Sequence, residues 1–327
     1  MASTPRIVVL GSANVDLTVV VDRRPEWGET VTGRSFRRTV GGKGVNSAIA
    51  AARSGRLGTA PAVAMLAAVG ADADGELVTG ELDRAGVAVG QVRRVRRPTG
   101  VAHITVDAAG RNAITVVAGA NEELAGPDAL TADDRRVLGG ARFVLAQLEI
   151  PLAGVLAGFE ASRAAGAVTL LTPAPVRPLP DDLLDLVDVL LVNEHEAAQV
   201  AGVDESEPLA RVGEALLERV PAAVVTRGEQ GADWFVRDDA RVAGGGQPGR
   251  CHVDAFATDV VDTTGAGDCF AGAFAVGLDE TGDAEAGLRF AAAAAALSVR
   301  AAGAAASMPS RAQIDELLSG GEPPRLV

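Results

Sequence analysis

The sequence predicts an α/β protein with three layers, a mostly parallel central sheet between helices, and a small separate sheet inserted into that body. Three observations carry this. Short β-branched runs alternate with helical segments along most of the chain. The segments between Leu10 and Val40 and between Val87 and Val117 break the alternation and form the insertions. Composition is globular, with 48% hydrophobic and 22% charged residues in 327, which excludes a disordered or collagen-like chain. Length alone suggests two units or one large domain with an attachment. The reading adopted is one domain over residues 1–327, with strands inserted from about 12–40 and 88–118.

The elements follow in order. Ile7–Leu10 is a strand ended by Gly11 and Ser12, and Asp16–Val21 is a second extended segment. Thr30–Val40 is polar and β-rich, an exposed strand pair or flap. The glycines at 41, 42 and 44 break the chain before a small-residue helix, Val45–Ser54. Ala62–Val69 is a strand, Asp74–Ala85 a helix, and Val87–Arg96 extended. Val101–Val106 and Ala113–Val117 flank a hairpin turn at Asp107–Arg111. Strand Phe143–Ala146, helix Leu152–Ala165 and strand Val168–Thr172 follow, the last stopped by the Pro-rich stretch 173–180. Strand Val187–Val192 leads into helix Glu194–Ala201, and helix Leu209–Arg219 into strand Ala222–Thr226. Gly244–Gly249 reads as a surface loop, a helix begins at Gly265, and Asp283–Arg300 is another. No internal repeat is found.

Charge and composition remove several function classes. Net charge is −13, aromatics make up 3% and there is no Tyr, so neither phosphate-backbone binding nor base stacking is favoured. Two cysteines, Cys251 and Cys269, make neither a disulfide framework nor a four-cysteine zinc site. The first residues lack an apolar signal-peptide core, and the Ala-rich stretch 290–306, interrupted by Arg300, is too short and weakly apolar for a membrane span. The expectation is a soluble, cytoplasmic protein with no nucleic-acid or membrane partner.

Three segments carry chemistry. In Asp262-Thr-Thr-Gly-Ala-Gly-Asp268, a glycine turn feeds a helix N-terminus, whose free N–H groups suit a phosphate or another anion. Asp268 would stand in the first turn, able to take a proton from a hydroxyl; an Asp that merely complements the helix dipole fits the same spacing. Gly41-Gly-Lys-Gly-Val-Asn46 is not a P-loop, because position 37 is Arg and position 44 is Gly. It is either a ligand turn that frees Lys43 and Asn46 or a plain turn with a solvated Lys. In Gly11-Ser-Ala-Asn-Val-Asp16, Asn14 and Asp16 face one side of an extended segment and suit vicinal hydroxyls, or else form an Asx turn.

Taken with Gly28–Gly33, Thr99–Ala102, Ala118–Asn121, Leu148-Glu149, Asn193–Glu196 and Thr226–Gly231, these segments resemble the ribokinase (PfkB-type) carbohydrate kinases, in order from about Ile7 to Pro309. The segment at 11–16 with the Gly-Gly-Lys-Gly turn is nearest the ribose-phosphorylating members. The resemblance implies an ATP-dependent phosphotransferase that converts D-ribose to ribose 5-phosphate. Asp268 would be the base, with Gly265, Ala266 and Gly267 as the anion hole. Asn14, Asp16, Gly42, Lys43, Asn46 and Glu149 would hold the sugar. Asn193 would contact the nucleotide phosphates, Glu196 would order Mg²⁺ through water, and Thr226, Arg227, Gly228, Glu229, Gln230 and Gly231 would line the ATP site. A monovalent cation, K⁺ by preference, would sit among Asp262, Thr264, Ser298, Ala301, Gly303 and Ser307. The inserted strands would be a lid that pairs two subunits into a homodimer.

Other acceptors within the family, such as 2-deoxyribose or a nucleoside, and a non-catalytic sugar-binding role remain the alternatives. The scarcity of aromatics argues against a nucleoside. Ala292 and Ala306 stand where the family often has, respectively, His or Asn near the adenine and Pro near the cation loop. His103 in the lid is either a polar surface residue or a substrate contact. His195 and His252 read as surface residues, and Cys269, Trp27 and Trp234 as packing.

Overall fold

The computed structural model describes residues 4–56, 62–125, 129–242 and 249–320. In chain order its strands are β1 (Ile7–Leu10), β2 (Asn14–Val20), β3 (Ser35–Gly41), β4 (Val63–Gly70), β5 (Ala88–Val95), β6 (Gly100–Val106), β7 (Asn112–Val117), β8 (Phe143–Gln147), β9 (Val168–Thr172), β10 (Val189–Asn193), β11 (Ala222–Thr226), β12 (Ala232–Val236) and β13 (Gly249–Val253). The helices are α1 (Lys43–Ser54), α2 (Ala73–Arg84), α3 (Ala132–Gly140), α4 (Leu152–Ala164), α5 (Asp181–Leu184), α6 (Glu194–Ala201), α7 (Leu209–Leu217), α8 (Ala266–Thr281), α9 (Ala284–Ser298) and α10 (Arg311–Leu318).

The large sheet has nine strands in the order β13-β12-β11-β10-β9-β8-β1-β4-β5, parallel except for β12, which runs antiparallel to both β11 and β13. Successive side chains of a strand point to opposite faces. Along β1, Ile7 and Val9 therefore join the core under α1, α2, α8, α9 and α10, while Val8 and Leu10 join the core under α3 to α7. The chain moves one way from β1, through β4 to β5, and then the other way from β8 to β11. The order reverses between β1 and β8, and in open α/β sheets ligands bind beyond the strand C-termini at such a point.

The small sheet is β3-β2-β6-β7, with β2 and β6 parallel and the outer pairs antiparallel. Its extent corrects the sequence expectation. Residues 88–95 do not belong to it: β5 is the edge of the large sheet, in register with β4 from Ala67↔Val92 to Gly70↔Val95, and α2 is the crossover between them. The second insertion begins only at Gly100. Within Thr30–Val40 there is no strand pair: residues 30–34 are irregular and the single strand β3 begins at Ser35.

Several elements escaped the sequence reading. Helix α3 has a reciprocal cap between Thr131 and Asp134, and α10 has one between Ser310 and Gln313. Strands β12 and β13 were also unforeseen, and the expected Gly244–Gly249 loop lies outside the described residues except for Gly249. Trp234 packs as expected, 3% exposed and 5.9 Å from Phe274 between ring centroids. Trp27 does not: it is fully exposed. Among the described residues no helix is long and apolar enough to cross a membrane.

Candidate active site

The site is built where β1 and β8 end. Ser12, just past β1, donates to Glu149 Oε2 at 2.6 Å, and that oxygen also accepts from the backbone N–H of Lys43 at 3.0 Å. Helix α1 has no side-chain N-cap, so its first N–H groups need other acceptors. Glu149, the Ser12 hydroxyl and the Ser12 carbonyl supply them, to Lys43, Gly44 and Val45. The Gly-Gly-Lys-Gly turn is thereby clamped to the switch point. A Cβ at Gly41 would collide with the Asp16 carboxylate, so the turn approaches Asp16 only because residue 41 is glycine.

Across from this turn, Gly265 takes φ 77° and starts α8 without a side-chain cap. The Ala266 N–H donates to the Thr263 carbonyl at 3.1 Å, while among the bonds of the described residues those of Gly265, Gly267 and Asp268 have no acceptor, as an anion site requires. Asp268 sits in that turn, 6% exposed, and its Oδ2 accepts from Asn46 Nδ2 at 2.9 Å. Burial pushes the Asp268 carboxyl up to about 6, against the pull of Lys43 and the Asn46 hydrogen bond. Asp16 is also pushed up to about 6, first by burial and then by repulsion from Glu149 and Asp268. Lys43 is raised by Asp268 foremost, with Glu149 and Glu196 adding to it. The result is a basic side chain set among carboxylates.

A cleft of ≈ 220 Å³ opens from Lys43 and Asp268 along the C-terminal ends of β9, β10 and β11. Its walls bring together Lys43, Asn193, Glu196, Thr226, Gly265, Ala266, Gly267 and Asp268 from the sequence-derived set. Asn193 and Glu196 cap α6 reciprocally, at 2.8 and 3.0 Å, which fixes both side chains at the mouth of the cleft. Arg227, Gly228, Glu229, Gln230 and Gly231 are not among its lining residues. Arg227 turns instead toward Glu194 at 3.3 Å and the buried Asp233 at 3.4 Å, and bonds Gln230.

The cation segment is only partly drawn together. Asp262 Oδ1 accepts from the backbone and hydroxyl of Thr264, and Oδ2 accepts from the Gly303 N–H at 2.9 Å. Ser298 and Ser307 each donate to a carbonyl three residues back, leaving their oxygens as acceptors. No contact joins Ala301 to this group among the bonds described. His103 is exposed on β6. His195 and His252 are surface residues as expected, yet each meets a carboxylate, Glu205 at 2.6 Å and Asp233 at 3.2 Å. Cys269 is buried and its thiol is pushed up to about 12 by that burial, as inert packing requires.

Sequence reasoning missed Ser12 as the partner of Glu149, and it gave Asn121, Gln147 and Thr172 no part. Asn46 Oδ1, Gln147 Oε1 and Thr172 Oγ1 are buried without a protein partner. Such atoms are uncommon in a folded chain, and here they border the site. The signal for Thr172 was its position: it ends a parallel strand beside the switch point.

The comparisons fit this geometry. The family described as pfkB family carbohydrate kinase matches residues 4–311. The chain is 39% identical over 314 residues to the ribokinase of Bacillus subtilis, covering 96% of this chain and 99% of that one. It is 34% identical over 321 residues to the deoxyribokinase of Salmonella typhimurium, covering 97% and 99%. The structure of Arabidopsis thaliana ribokinase complexed with ribose and ATP superposes with a TM-score of 0.87 at 34% identity, covering 97% of this chain and 99% of that one.

Proposed function

The chain belongs to the pfkB family of carbohydrate kinases, and on that premise we propose that it transfers the γ-phosphoryl group of ATP to O5 of D-ribose. One observation carries the reading. Lys43 and Asp268 line the same cleft as Asn193, Glu196 and Thr226, so an acceptor hydroxyl and a nucleotide would meet at the head of α8.

The roles follow from the donors and acceptors present. Asp16, Glu149 and Asn14 bind sugar hydroxyls, with the backbone of Gly42 and the side chains of Lys43 and Asn46 completing the pocket. Asp268 receives the proton of the attacking hydroxyl on the carboxylate oxygen not engaged by Asn46. Its raised pKa suits a base near neutral pH. The N–H groups at Gly265 and Gly267 face the charge that builds on the transferring phosphoryl group, with Ala266, whose own N–H is held by the Thr263 carbonyl, as the link between them, and Lys43 adds a positive charge beside it. Asn193 orients the nucleotide phosphates. Asp268 needs only to orient the hydroxyl and accept its proton, because loose phosphoryl transfer depends mainly on position and neutralised charge.

The donor set suits two cations. Among the described residues no cluster of three ligand side chains forms a dedicated metal cage. A lone carboxylate such as Glu196 suits Mg²⁺ held mostly by phosphates and water. When bound, Mg²⁺ would neutralise phosphate charge. Asp262, Thr264, Ser298, Ser307 and neighbouring carbonyls offer the all-oxygen set that K⁺ takes.

The outer lid exposes Phe36, Ile114, Val116 and Val117, which supports pairing of two subunits through this sheet into a homodimer.

The test is ADP release from Mg·ATP, with K⁺ present, across ribose, 2-deoxyribose, fructose, ribitol and adenosine. Strong preference for ribose supports the reading. Preference for 2-deoxyribose, in line with the deoxyribokinase likeness, would keep the chemistry and change the substrate. No turnover with any of the five would remove the assignment.

A further inference from the structure

The lid joins the body where β2 and β6 begin and β7 ends, and the side chain of Asn121 ties these points together. Asn121 is 1% exposed in the 3-10 turn Gly119–Glu123, which directly follows β7. The N–H of Ala13 stands 2.8 Å from one of its amide atoms. A backbone N–H can only donate, so that atom is Oδ1. The other amide atom is therefore Nδ2, and it lies 3.0 Å from the Ala118 carbonyl, which can only accept. Nδ2 also lies 2.8 Å from the side chain of Asn14. A donor there demands an acceptor, so Asn14 turns Oδ1 toward Asn121 and its Nδ2 away. Among the described residues no bond from Asn14 Nδ2 is formed. The first residue of β6 closes on this pair: a Cβ at Gly100 would collide with Asn14 Oδ1, and would stand 2.5 Å from Asn121 Nδ2.

We infer that Asn121 is a positioning residue for the sugar, which fixes the Asn14 amide so that Nδ2 is presented to the substrate as a donor, and which ties that orientation to the root of the lid. The polarity runs without a break from the Ala13 N–H, through the Asn121 amide, to the Asn14 amide. The proposed sugar ligands beside Asn14 include two carboxylates, Asp16 and Glu149, which can only accept when ionised, so a fixed donor from Asn14 would meet an acceptor oxygen on the ligand. The inference rests on the reading of this pocket as the sugar site.

The experiment is calorimetric titration of D-ribose into wild type, Asn14→Ala, Asn121→Ala, Asn121→Asp and the Asn14→Ala/Asn121→Ala double variant, with KM for Mg·ATP and thermal melting alongside. Each single alanine variant is expected to weaken ribose about tenfold or more, as loss of a buried hydrogen bond does. The double variant is expected within about threefold of the worse single, because both act through one donor. KM for ATP is expected to move less than about threefold, a split that general loosening of the fold would not give. A folded Asn121→Ala with ribose affinity within about twofold of wild type, or single losses that multiply in the double variant, would overturn the inference. Where the alanine variant does not fold, Asn121→Asp decides. It keeps an acceptor for Ala13 but removes the donor to Asn14, so unchanged affinity overturns the inference equally. If wild type itself ignores ribose, the substrate reading falls separately. The same series is then titrated with the sugar that releases ADP fastest, and judged by the same outcomes.

Discussion

Asn46 donates Nδ2 to Asp268 Oδ2 at 2.9 Å, joining the first turn of α1 to the first turn of α8. The helices meet closely because small residues line the contact: a Cβ at Gly272 would collide with the Ser47 carbonyl. The bond commits one oxygen of Asp268 and leaves the other for the acceptor hydroxyl. Asp268→Asn is therefore expected to lower kcat by about 10²–10⁴ with ribose affinity changed only a few fold. Asn46→Ala is expected to lower kcat by about tenfold through misplacement of the same carboxylate. Steady-state rates and calorimetric ribose binding check both, and near-wild-type turnover in Asp268→Asn would sink the base assignment.

The pH dependence follows from the same carboxylate. Asp268 accepts a proton only when ionised, and burial has raised its pKa to about 6 while Lys43 holds it down. Turnover is expected to rise between about pH 5 and 7 and then level off. Asp16 titrates in the same range, so the apparent midpoint belongs to the coupled set. Lys43→Met removes the lowering influence, and the rising limb should move to higher pH. A limb that stays in place, measured with saturating Mg·ATP, would separate Lys43 from the electrostatics of Asp268.

Much of this fold and half of this site were legible in the sequence, for physical reasons that also account for the rest. The buried strands from β1 to β11 announced themselves as apolar runs, and the glycine turns at 41–44 and 265–267 marked the two helix heads. The sequence places residues 88–95 in the insertion because the run from Val87 to Val117 breaks the strand–helix alternation; only the pairing of β5 with β4 shows which sheet it closes. The caps at Thr131 and Ser310 were present as spacing and went unread. Ser12 and Asn121 could not be found by spacing. Their partners lie far along the chain: the pairing of β1 with β8 brings Glu149 to Ser12, and the pairing of β2 with β6 in the small sheet brings Asn121 to Ala13 and Asn14.

The lid predicts an assembly. Phe36 on β3 and Ile114, Val116 and Val117 on β7 are more than half exposed, on the two edge strands of the small sheet. Edge strands with apolar side chains invite pairing. Light scattering after size exclusion is expected to give a dimer. Phe36→Lys with Ile114→Lys is expected to give a folded monomer with a raised KM for ribose, because the lid loses its support. A wild-type monomer at micromolar concentration would count against the homodimer.

Asp16 predicts a trade between stability and binding. Its carboxyl is pushed up to about 6, by burial first and then by Glu149 and Asp268. A carboxyl raised in the folded state favours folding while protonated. That contribution is full below the ordinary value of 3.8 and is lost as pH rises through about 6. At pH 8 the ionised group thus opposes folding. Asp16→Asn keeps the shape and removes the charge, so it is expected to stabilise the protein by about 1–3 kcal/mol at pH 8. Near pH 4, where Asp16 is protonated in the fold, the gain should nearly vanish. Ribose binding should fall at the same time, because the carboxylate that accepts from the sugar hydroxyls is gone. Melting temperatures at the two pH values, read beside ribose titrations, test both halves. A variant that is less stable at pH 8 would mean that the carboxylate is held by bonds that outweigh its burial.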